Sequence, residues 1–186
     1  MKNIVRAITA ALLLSLSMMA FAQPSPEEIA EARAAADKGE AWAQYNLGNM
    51  YANGEGVPED DATAVKWYTK SAEQGYADAQ LNLGFMYDNG YGVPEDDATA
   101  VQWYTKAAEQ GLASAQNNLG IMYVTGAGVP EDDVMAYMWW NLAAAQENDG
   151  AKKNKGIVQE RMTPADISKA QTLSRECLAR DYKDCG

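Results

Sequence analysis

The stretch GVPEDDATAV occupies residues 56–65, and the same ten letters return at residues 92–101, 36 positions later. A third copy begins at Gly128 as GVPEDD before the sequence diverges. The same spacing relates three further sets of identical residues: Gly48, Gly84 and Gly120; Pro58, Pro94 and Pro130; Trp67, Trp103 and Trp139. A fixed period of this length is typical of stacked supersecondary units, none of which buries its apolar face alone.

Each unit has the pattern of a helical hairpin. In the stretch AWAQYNLGNMYANG, which begins at Ala41, apolar residues recur at helical spacing until the glycines from Gly54 onward interrupt them. Pro58 suits the start of a second helix, where its missing N–H costs nothing. The acidic residues 59–61 are then expected in the first turn, where the helix dipole favours anions. Gly75 is a natural end for this second helix.

Atypical units flank the three full copies. Ser25-Pro26-Glu27-Glu28 is a capping box, so residues 26–38 are predicted to form a lone second helix. Near the other end, Thr163-Pro164-Ala165-Asp166 is predicted to open a final helix that runs to about Ala179. We therefore predict an all-α fold, an α/α solenoid (superhelix) of stacked hairpins with about nine helices. Its units are a capping half-repeat at 26–40, full repeats at 41–76, 77–112 and 113–148, and a degenerate repeat at 149–186.

The first residues have the order of a secretory signal peptide. Lys2 and Arg6 precede an apolar run over residues 8–16, and Ala20-Phe21-Ala22 forms a small-x-small cleavage site. The apolar run is too short for a membrane anchor. No cysteine lies near the cleavage site, which argues against a lipoprotein. We expect cleavage of residues 1–22, a mature solenoid of residues 23–186 and a periplasmic or secreted location without membrane insertion.

The chain is strongly acidic. It has 15 basic and 26 acidic residues, no histidine and a net charge of −11, which becomes −13 when Lys2 and Arg6 are removed with the signal peptide. Phosphate backbones and anionic membranes would repel such a protein, so nucleic acid and lipid surfaces are not expected partners. The lack of histidine removes the commonest general base and the commonest metal ligand.

The repeat pattern resembles the Sel-one-like (Sel1-like) repeat family, which is related to the tetratricopeptide repeats. The resemblance covers residues 26–180 and follows the pattern A-x-x-x-L-G-x-M-Y-x-x-G-x-G-V-P-x-D-x-x-x-A-x-x-W-Y-x-x-A-A-x-x-G. The closing segment MTPADISKAQTLSREC also looks like the ending of many bacterial members. The resemblance implies an α-helical superhelix whose concave surface assembles protein complexes, and an exported bacterial member acting as an adaptor.

Several periodic residues have a structural and a functional interpretation. The acidic residues 59–61, 95–97 and 131–133 lack the alternating spacing of a calcium loop, and helix capping explains them without a metal. The glycine-rich loops lack the lysine and strand context of a phosphate site. The periodic tryptophans and tyrosines are expected in the core. We therefore expect no cofactor and no metal.

One asparagine position stays open. Asn46, Asn82 and Asn118 occupy the same first-helix position in the three full repeats. Hydrogen bonding between repeats is the favoured interpretation, since buried amides must find partners where units stack. A related tetratricopeptide asparagine clamps peptide backbone, which is the alternative.

An enzyme is the rival class of function. Cysteine-rich secreted relatives of the family have been described as penicillin-binding or β-lactamase-like, a chemistry that uses the motifs S-x-x-K, S-D-N and K-T-G. None of the three occurs in this sequence. We therefore predict a non-enzymatic adaptor for a protein or peptide partner. The alternatives are a β-lactamase-like cell-envelope enzyme and a transient assembly helper for envelope proteins.

Cys177 and Cys185 are the only cysteines. In an exported chain such a pair is expected to form a disulfide. A continuous helix would separate the two Cα atoms by ~12 Å, beyond the ~7 Å limit for bridged cysteines. The last helix is therefore expected to end near Ala179–Arg180, so that the tail can fold back.

Partner binding is expected at first-helix positions that differ between repeats, because identical positions are used in stacking. Trp42 is predicted at the N-terminal end of this surface. Two such positions lie four residues apart and hence on one helix face. In the three repeats the first position is occupied by Tyr45, Leu81 and Asn117, and the second by Asn49, Phe85 and Ile121. The resemblance places first helices on the concave wall, and the acidic hinges favour a basic or neutral partner. The competing interpretation is that Leu81, Phe85 and Ile121 pack inward between hairpins, and periodicity does not separate the two.

Overall fold

The computed structural model describes residues 24–185, and this part of the chain consists of α-helices joined by short loops, without strands. The helices are α1 (Pro26–Asp37), α2 (Ala41–Asn53), α3 (Asp61–Glu73), α4 (Ala77–Asn89), α5 (Asp97–Ala108), α6 (Ala113–Thr125), α7 (Asp133–Ala145), α8 (Asp149–Gln159) and α9 (Pro164–Ala179). In each of the three full repeats the first helix packs against the second helix that follows it, and consecutive hairpins stack, whereas α9 packs on α7. The predicted all-α solenoid is confirmed, whereas the predicted signal peptide lies outside the described residues. Over residues 24–185 no helix is both long and apolar enough to cross a membrane.

A glycine in the first helix of each full hairpin faces an aromatic ring of the second. A Cβ atom on Gly84 would lie only 2.7 Å from Cδ1 of Tyr104, closer than real Cβ contacts. The same clash would arise at 2.5 Å between Gly48 and Tyr68, and at 2.6 Å between Gly120 and Trp140. Protein interiors are packed too tightly to absorb such an overlap. Glycine therefore allows the two helices of each hairpin to approach one another.

The second helices begin later than the sequence suggested. Asp60 is the N-cap of α3, and its side chain accepts a hydrogen bond from the Thr63 backbone N–H at 2.9 Å. Pro58 and Glu59 therefore precede the helix, and only Asp61 of the acidic triplet lies in the first turn. The Asp60 side chain, as N-cap, accepts from a helix N–H that would otherwise be unpaired. This gain outweighs the preference of proline for the first position of a helix. Hydrogen bonds from the side chain and backbone of Thr63 lower the pKa of Asp60.

The loop glycines bring neighbouring repeats together. Gly92 has a φ of 67°, and a Cβ atom there would lie 2.4 Å from the carbonyl carbon of Asp61 in the preceding repeat. Gly128 makes the same approach to Asp97. Both a left-handed backbone and the absence of a side chain are needed at these positions. The repeated GVP segment is thus a contact between repeats as well as a hinge within one.

The periodic tryptophans are not equally buried, which corrects the expectation that all three lie in the core. Trp139 is fully buried, while Trp67 and Trp103 lie at the edge of their layers. Lysine ammonium groups, from Lys70 and Lys106, cover these two rings at 4.1 Å from the ring centroids. Trp139 is enclosed because α9 packs against α7. At this contact Ser174 Oγ donates to the Met138 carbonyl at 3.3 Å.

Each end of the array is stabilised by a local interaction, a capping box at one end and a disulfide at the other. The predicted capping box is confirmed: Ser25 Oγ accepts from the Glu28 N–H at 3.2 Å, and the Ser25 N–H donates to Glu28 Oε2 at 2.7 Å. At the other end α9 stops at Ala179, and a disulfide joins Cys177 to Cys185 with a Cα–Cα distance of 5.3 Å.

The disulfide-bonded tail lies against the second repeat. The Cys185 N–H donates to Glu109 Oε1 at 3.3 Å. The ring of Tyr182 is close enough to Gly111 that a Cβ atom there would lie 3.1 Å from it. The tail therefore connects the last helix to the end of α5.

Paired glycine substitutions test the close approach within the hairpins. Gly84→Ala forces a methyl group into the Tyr104 ring and is expected to lower the free energy of unfolding by about 1–3 kcal/mol. Gly156 occupies the equivalent position in α8, but among residues 24–185 nothing beyond its own stretch of helix lies within 4 Å of its would-be Cβ. Gly156→Ala should therefore raise stability by about 0.5–1 kcal/mol, as alanine does in an open helix position. Urea unfolding followed by circular dichroism measures both; equal effects would contradict the packing described.

The disulfide is expected to stabilise the C-terminal end. Closing this short loop contributes about 2.5 kcal/mol by the loop-entropy relation. The double variant Cys177→Ala/Cys185→Ala should lose about that much in urea unfolding, and a reducing agent should reproduce the loss in the native chain. Thiol titration of denatured, exported protein should find no free thiol; two free thiols would show that the bridge does not form in the cell.

Candidate functional site

Large apolar side chains are exposed at one repeated position of the first helices. Phe85 of α4, Ile121 of α6 and Ile157 of α8 are spaced at 36 residues and expose 46%, 39% and 59% of their surface. We call Phe85, Ile121 and Ile157 the exposed row. Neither Phe85 nor Ile121 packs inward between hairpins. Ile157 was not among the residues predicted from the sequence, although the period alone points to it as the next member.

The other predicted row is largely used in packing. The ring of Tyr45 lies 5.2 Å from that of Tyr76 and 6.1 Å from that of Tyr68, measured between centroids. Leu81 packs against the core formed by the later repeats. The side-chain oxygen of Asn117 accepts from Asn154 Nδ2 at 3.3 Å. Residues four apart in a helix differ by about 40° in direction, which is enough to turn one row toward the next hairpin while the other faces solvent.

Two predicted residues lie at the N-terminal part of this surface. Trp42, in the first turn of α2, is 51% exposed. Asn49 is half-buried, and its side-chain oxygen accepts hydrogen bonds from Tyr68 Oη at 2.7 Å and from Asn82 Nδ2 at 3.1 Å. Asn49 thus joins the first full repeat to the second, while the Trp42 side chain is exposed.

The repeated asparagines play different roles. Asn82 makes the bond between repeats just described. Asn118 accepts from Asn117 Nδ2 within its own helix, at 3.4 Å, and Asn46 is exposed. Asn46 differs because the unit before it is the lone helix α1, which offers no first helix to receive its side chain.

Buried glutamines, which were not among the residues predicted from the sequence, provide the regular hydrogen bonds between repeats. Gln80 Nε2 donates to the Ala72 carbonyl of the preceding repeat at 3.1 Å, and its oxygen accepts from Gln110 Nε2 at 2.7 Å. The same pair of bonds recurs at the equivalent residues, Gln44 with Ala36 and Gln74, and Gln116 with Ala108 and Gln146. The signal was available, because these glutamines share the 36-residue period.

A groove of about 550 Å³ lies beside Phe85 between α2 and α4. We call it the acidic groove, and its lining residues are Asn49, Ala52, Asn53, Glu59, Asp61, Tyr68, Asn82, Phe85, Met86 and Tyr91. The rings of Phe85 and Tyr91 lie 5.8 Å apart on one side. Glu59 and Asp61 supply its carboxylates, and within residues 24–185 neither forms an ion pair.

The acidic groove has a negative electrostatic environment. Burial is the main cause that raises the pKa of Tyr68 to about 12, and the negative charges of Asp61 and Glu55 contribute in the same direction. The Tyr68 hydroxyl therefore stays protonated at physiological pH and donates to Asn49. The arrangement favours binding of a cationic group over acid–base chemistry.

A second groove, of about 320 Å³, lies beside Ile121 and Ile157. We call it the apolar groove, and its lining residues are Ile121, Val124, Trp140, Asn154, Ile157, Val158 and Arg161. The Arg161 guanidinium is paired with Asp133 and, at 3.4 Å, with Glu131. Its charge is therefore compensated, and the groove presents mainly apolar surface.

Among residues 24–185 no group of three or more histidine, cysteine or carboxylate side chains is placed to hold a metal ion.

Comparison with known proteins gives a consistent family relationship. A Sel1 repeat model matches residues 43–76, 77–112 and 113–148. A Sel1 repeat protein from Oxalobacter formigenes has a similar structure, with a TM-score of 0.64 and 40% identity over 69% of this chain and 97% of that one. The protective antigen c5321 of uropathogenic Escherichia coli, which has an SLR fold, also has a similar structure. Its TM-score is 0.55 and its identity 30%, over 88% of this chain and 43% of that one.

One curated protein also matches part of the chain. It is an exopolysaccharide production negative regulator from Rhizobium leguminosarum bv. viciae, 41% identical over 61 residues. The match covers 32% of this chain and 23% of that protein, so this chain spans less than a quarter of the relative's length.

Substitution of neighbouring residues in α4 tests which side chains are exposed. Phe85→Ala should change the free energy of unfolding by less than about 1 kcal/mol, because nearly half of the side chain is already in water. Leu83→Ala, at a position only 1% exposed, should cost about 2–5 kcal/mol. Thermal and urea unfolding measure both. A comparable loss for Phe85→Ala would mean that this side chain belongs to the core and not to a binding surface.

Proposed function

The chain belongs to the Sel1 repeat family, and we propose that it is an exported adaptor that binds a protein or peptide partner along its first helices. Members of this family are typically non-enzymatic scaffolds that mediate contacts between proteins. The proposed contact surface consists of the exposed row together with Trp42, Asn49 and the two grooves. We place it on the concave wall that the family resemblance implies.

The exposed row is the observation that carries this proposal. Three large apolar side chains occupy one equivalent position in successive repeats, although the same chain buries its alanines, leucines and methionines at the positions around them. Exposing such residues costs solubility, and exposed apolar residues that recur in a row beside grooves support an interaction site. Aromatic and aliphatic anchors beside pockets are typical of residues that dominate binding energy. Tyr45, Leu81 and Asn117 support the surface from beneath.

Export is part of the proposal. The disulfide between Cys177 and Cys185 is compatible with an oxidising compartment such as the periplasm or the extracellular medium. A signal peptide over residues 1–22 accounts for how the chain would reach it. The β-lactamase-like alternative has no comparable support, because the serine motifs of that chemistry are missing from the sequence.

Site-specific photo-crosslinking tests the adaptor function. A benzophenone amino acid is introduced at residue 85, or at residue 102 as a control, since Gln102 is an exposed side chain of the second helix α5. After irradiation of cells that export the protein, a discrete crosslinked product is expected from position 85 and not from position 102. Mass spectrometry identifies the partner, and Ile157→Ser should reduce its yield. Products from position 102 alone, or from neither position, would contradict the proposed surface.

A further inference from the structure

We infer that the partner segment bound along the exposed row carries a lysine or arginine in the acidic groove and an apolar side chain in the apolar groove. The basic residue lies toward the N-terminal end of the array. This inference rests on the proposed function and specifies the chemistry and the direction of the bound segment.

The acidic groove combines the two kinds of group that bind organic cations. The Glu59 and Asp61 carboxylates line one part of it, and the rings of Phe85 and Tyr91 line another. A cation close to an aromatic face gains energy from the ring quadrupole, and charged hydrogen bonds to a carboxylate are stronger than neutral ones. Since neither carboxylate is paired with a cation within the described residues, a basic guest would supply the missing charge. A carboxylate guest would be repelled.

The charge of the array changes along its length, which gives the bound segment a direction. Residues 24–148 contain 5 basic and 20 acidic side chains, whereas residues 149–186 contain 8 basic and 6 acidic ones. A basic group is therefore attracted toward the early repeats and repelled near α8, where Lys152, Lys153 and Lys155 cluster.

The apolar groove selects a different side chain. Ile121, Val124, Ile157 and Trp140 form most of its surface. Arg161, which lines this groove, already has two carboxylate partners, so an additional acidic guest gains little there. Burying an apolar side chain stabilises the complex by removing it from water together with the exposed isoleucines.

A second copy of the chain is a weaker occupant. Its own basic cluster lies in α8, where Lys152 is paired with Glu147 and Asp149. Lys155 donates to Asn141 Oδ1 at 3.1 Å and lies 5.9 Å from the centre of the Tyr137 ring. Docking α8 into another copy would disrupt these contacts, whereas a segment of a separate protein need break none.

The probe for this inference is a phage-displayed library of random twelve-residue peptides, selected on the oxidised chain of residues 23–186. Enriched peptides are expected to contain a lysine or arginine separated by several residues from a bulky apolar residue. Synthetic copies are then measured by fluorescence anisotropy. Binding should weaken about tenfold in Glu59→Gln/Asp61→Asn and also on raising the salt concentration, because screening weakens exposed charge pairs.

The next repeat provides a matched control. Glu95 and Asp97 occupy the positions equivalent to Glu59 and Asp61, and Asp97 likewise lies in the first turn of its helix, but neither lines the acidic groove. Glu95→Gln/Asp97→Asn removes the same net charge and should leave peptide affinity within twofold of the native value. An equal loss in both double variants would mean that overall charge, and not the groove, determines binding, and would overturn the inference.

The remaining outcomes separate this inference from the adaptor function. Peptides that need Phe85 for binding but lack a basic residue, or that tolerate Glu59→Gln/Asp61→Asn, would overturn the inference and leave the adaptor intact. If neither selected peptides nor crosslinked proteins depend on Phe85, both fail. Concentration-dependent self-association that the same double variant abolishes, measured by analytical ultracentrifugation, would identify a second copy as the occupant and would also overturn the inference.

Discussion

The distance between the two helices of each hairpin depends on one contact, that of a first-helix glycine with a second-helix aromatic ring. Gly48, Gly84 and Gly120 each lack a side chain where Tyr68, Tyr104 and Trp140 press against the helix backbone. The rings are buried, and their size sets how far apart the helices lie. The fourth unit retains its glycine, Gly156, but no ring of the described residues packs against it, and α9 packs on α7 instead.

Stacking of the hairpins depends on polar groups rather than on apolar area alone. Gln80 reaches the last turn of the preceding second helix, where carbonyl groups lack helical partners. Its oxygen accepts from Gln110, so both the nitrogen and the oxygen of the buried amide have partners. A repeat that shifted against its neighbour would leave these groups unpaired in the interior, which costs more than a lost surface bond. The glutamines and the loop glycines together define one stacking geometry.

At one first-helix position the residue type differs between repeats. Asn49, Phe85, Ile121 and Ile157 are equivalent in the array yet differ in polarity and size. Because the recurring glycines, aromatics and glutamines maintain the stacking, changes at Phe85, Ile121 and Ile157 need not alter the scaffold, whereas Asn49 also accepts a hydrogen bond from Asn82 of the next repeat. As a consequence the two grooves differ in chemistry: carboxylates lie beside Phe85 in one, and aliphatic side chains lie beside Ile157 in the other. Specificity in such an array comes from the identity and order of a few side chains.

The sequence by itself determined the period, the helical hairpins and the capping box at Ser25, because helix breaking and capping act within a few residues. It also determined the end of the last helix, because a disulfide between Cys177 and Cys185 requires the chain to turn back there. It placed the start of α3 a turn too early, since proline and Asp60 compete locally for that position. Only the tertiary structure decided that Phe85 is exposed while Leu81 packs, and that Gln80 joins repeats while Asn46 faces solvent. Whether such a side chain packs or is exposed depends on a difference of about 40° in its direction around the helix axis and on which helix lies beside it. A repeating sequence pattern contains neither kind of information.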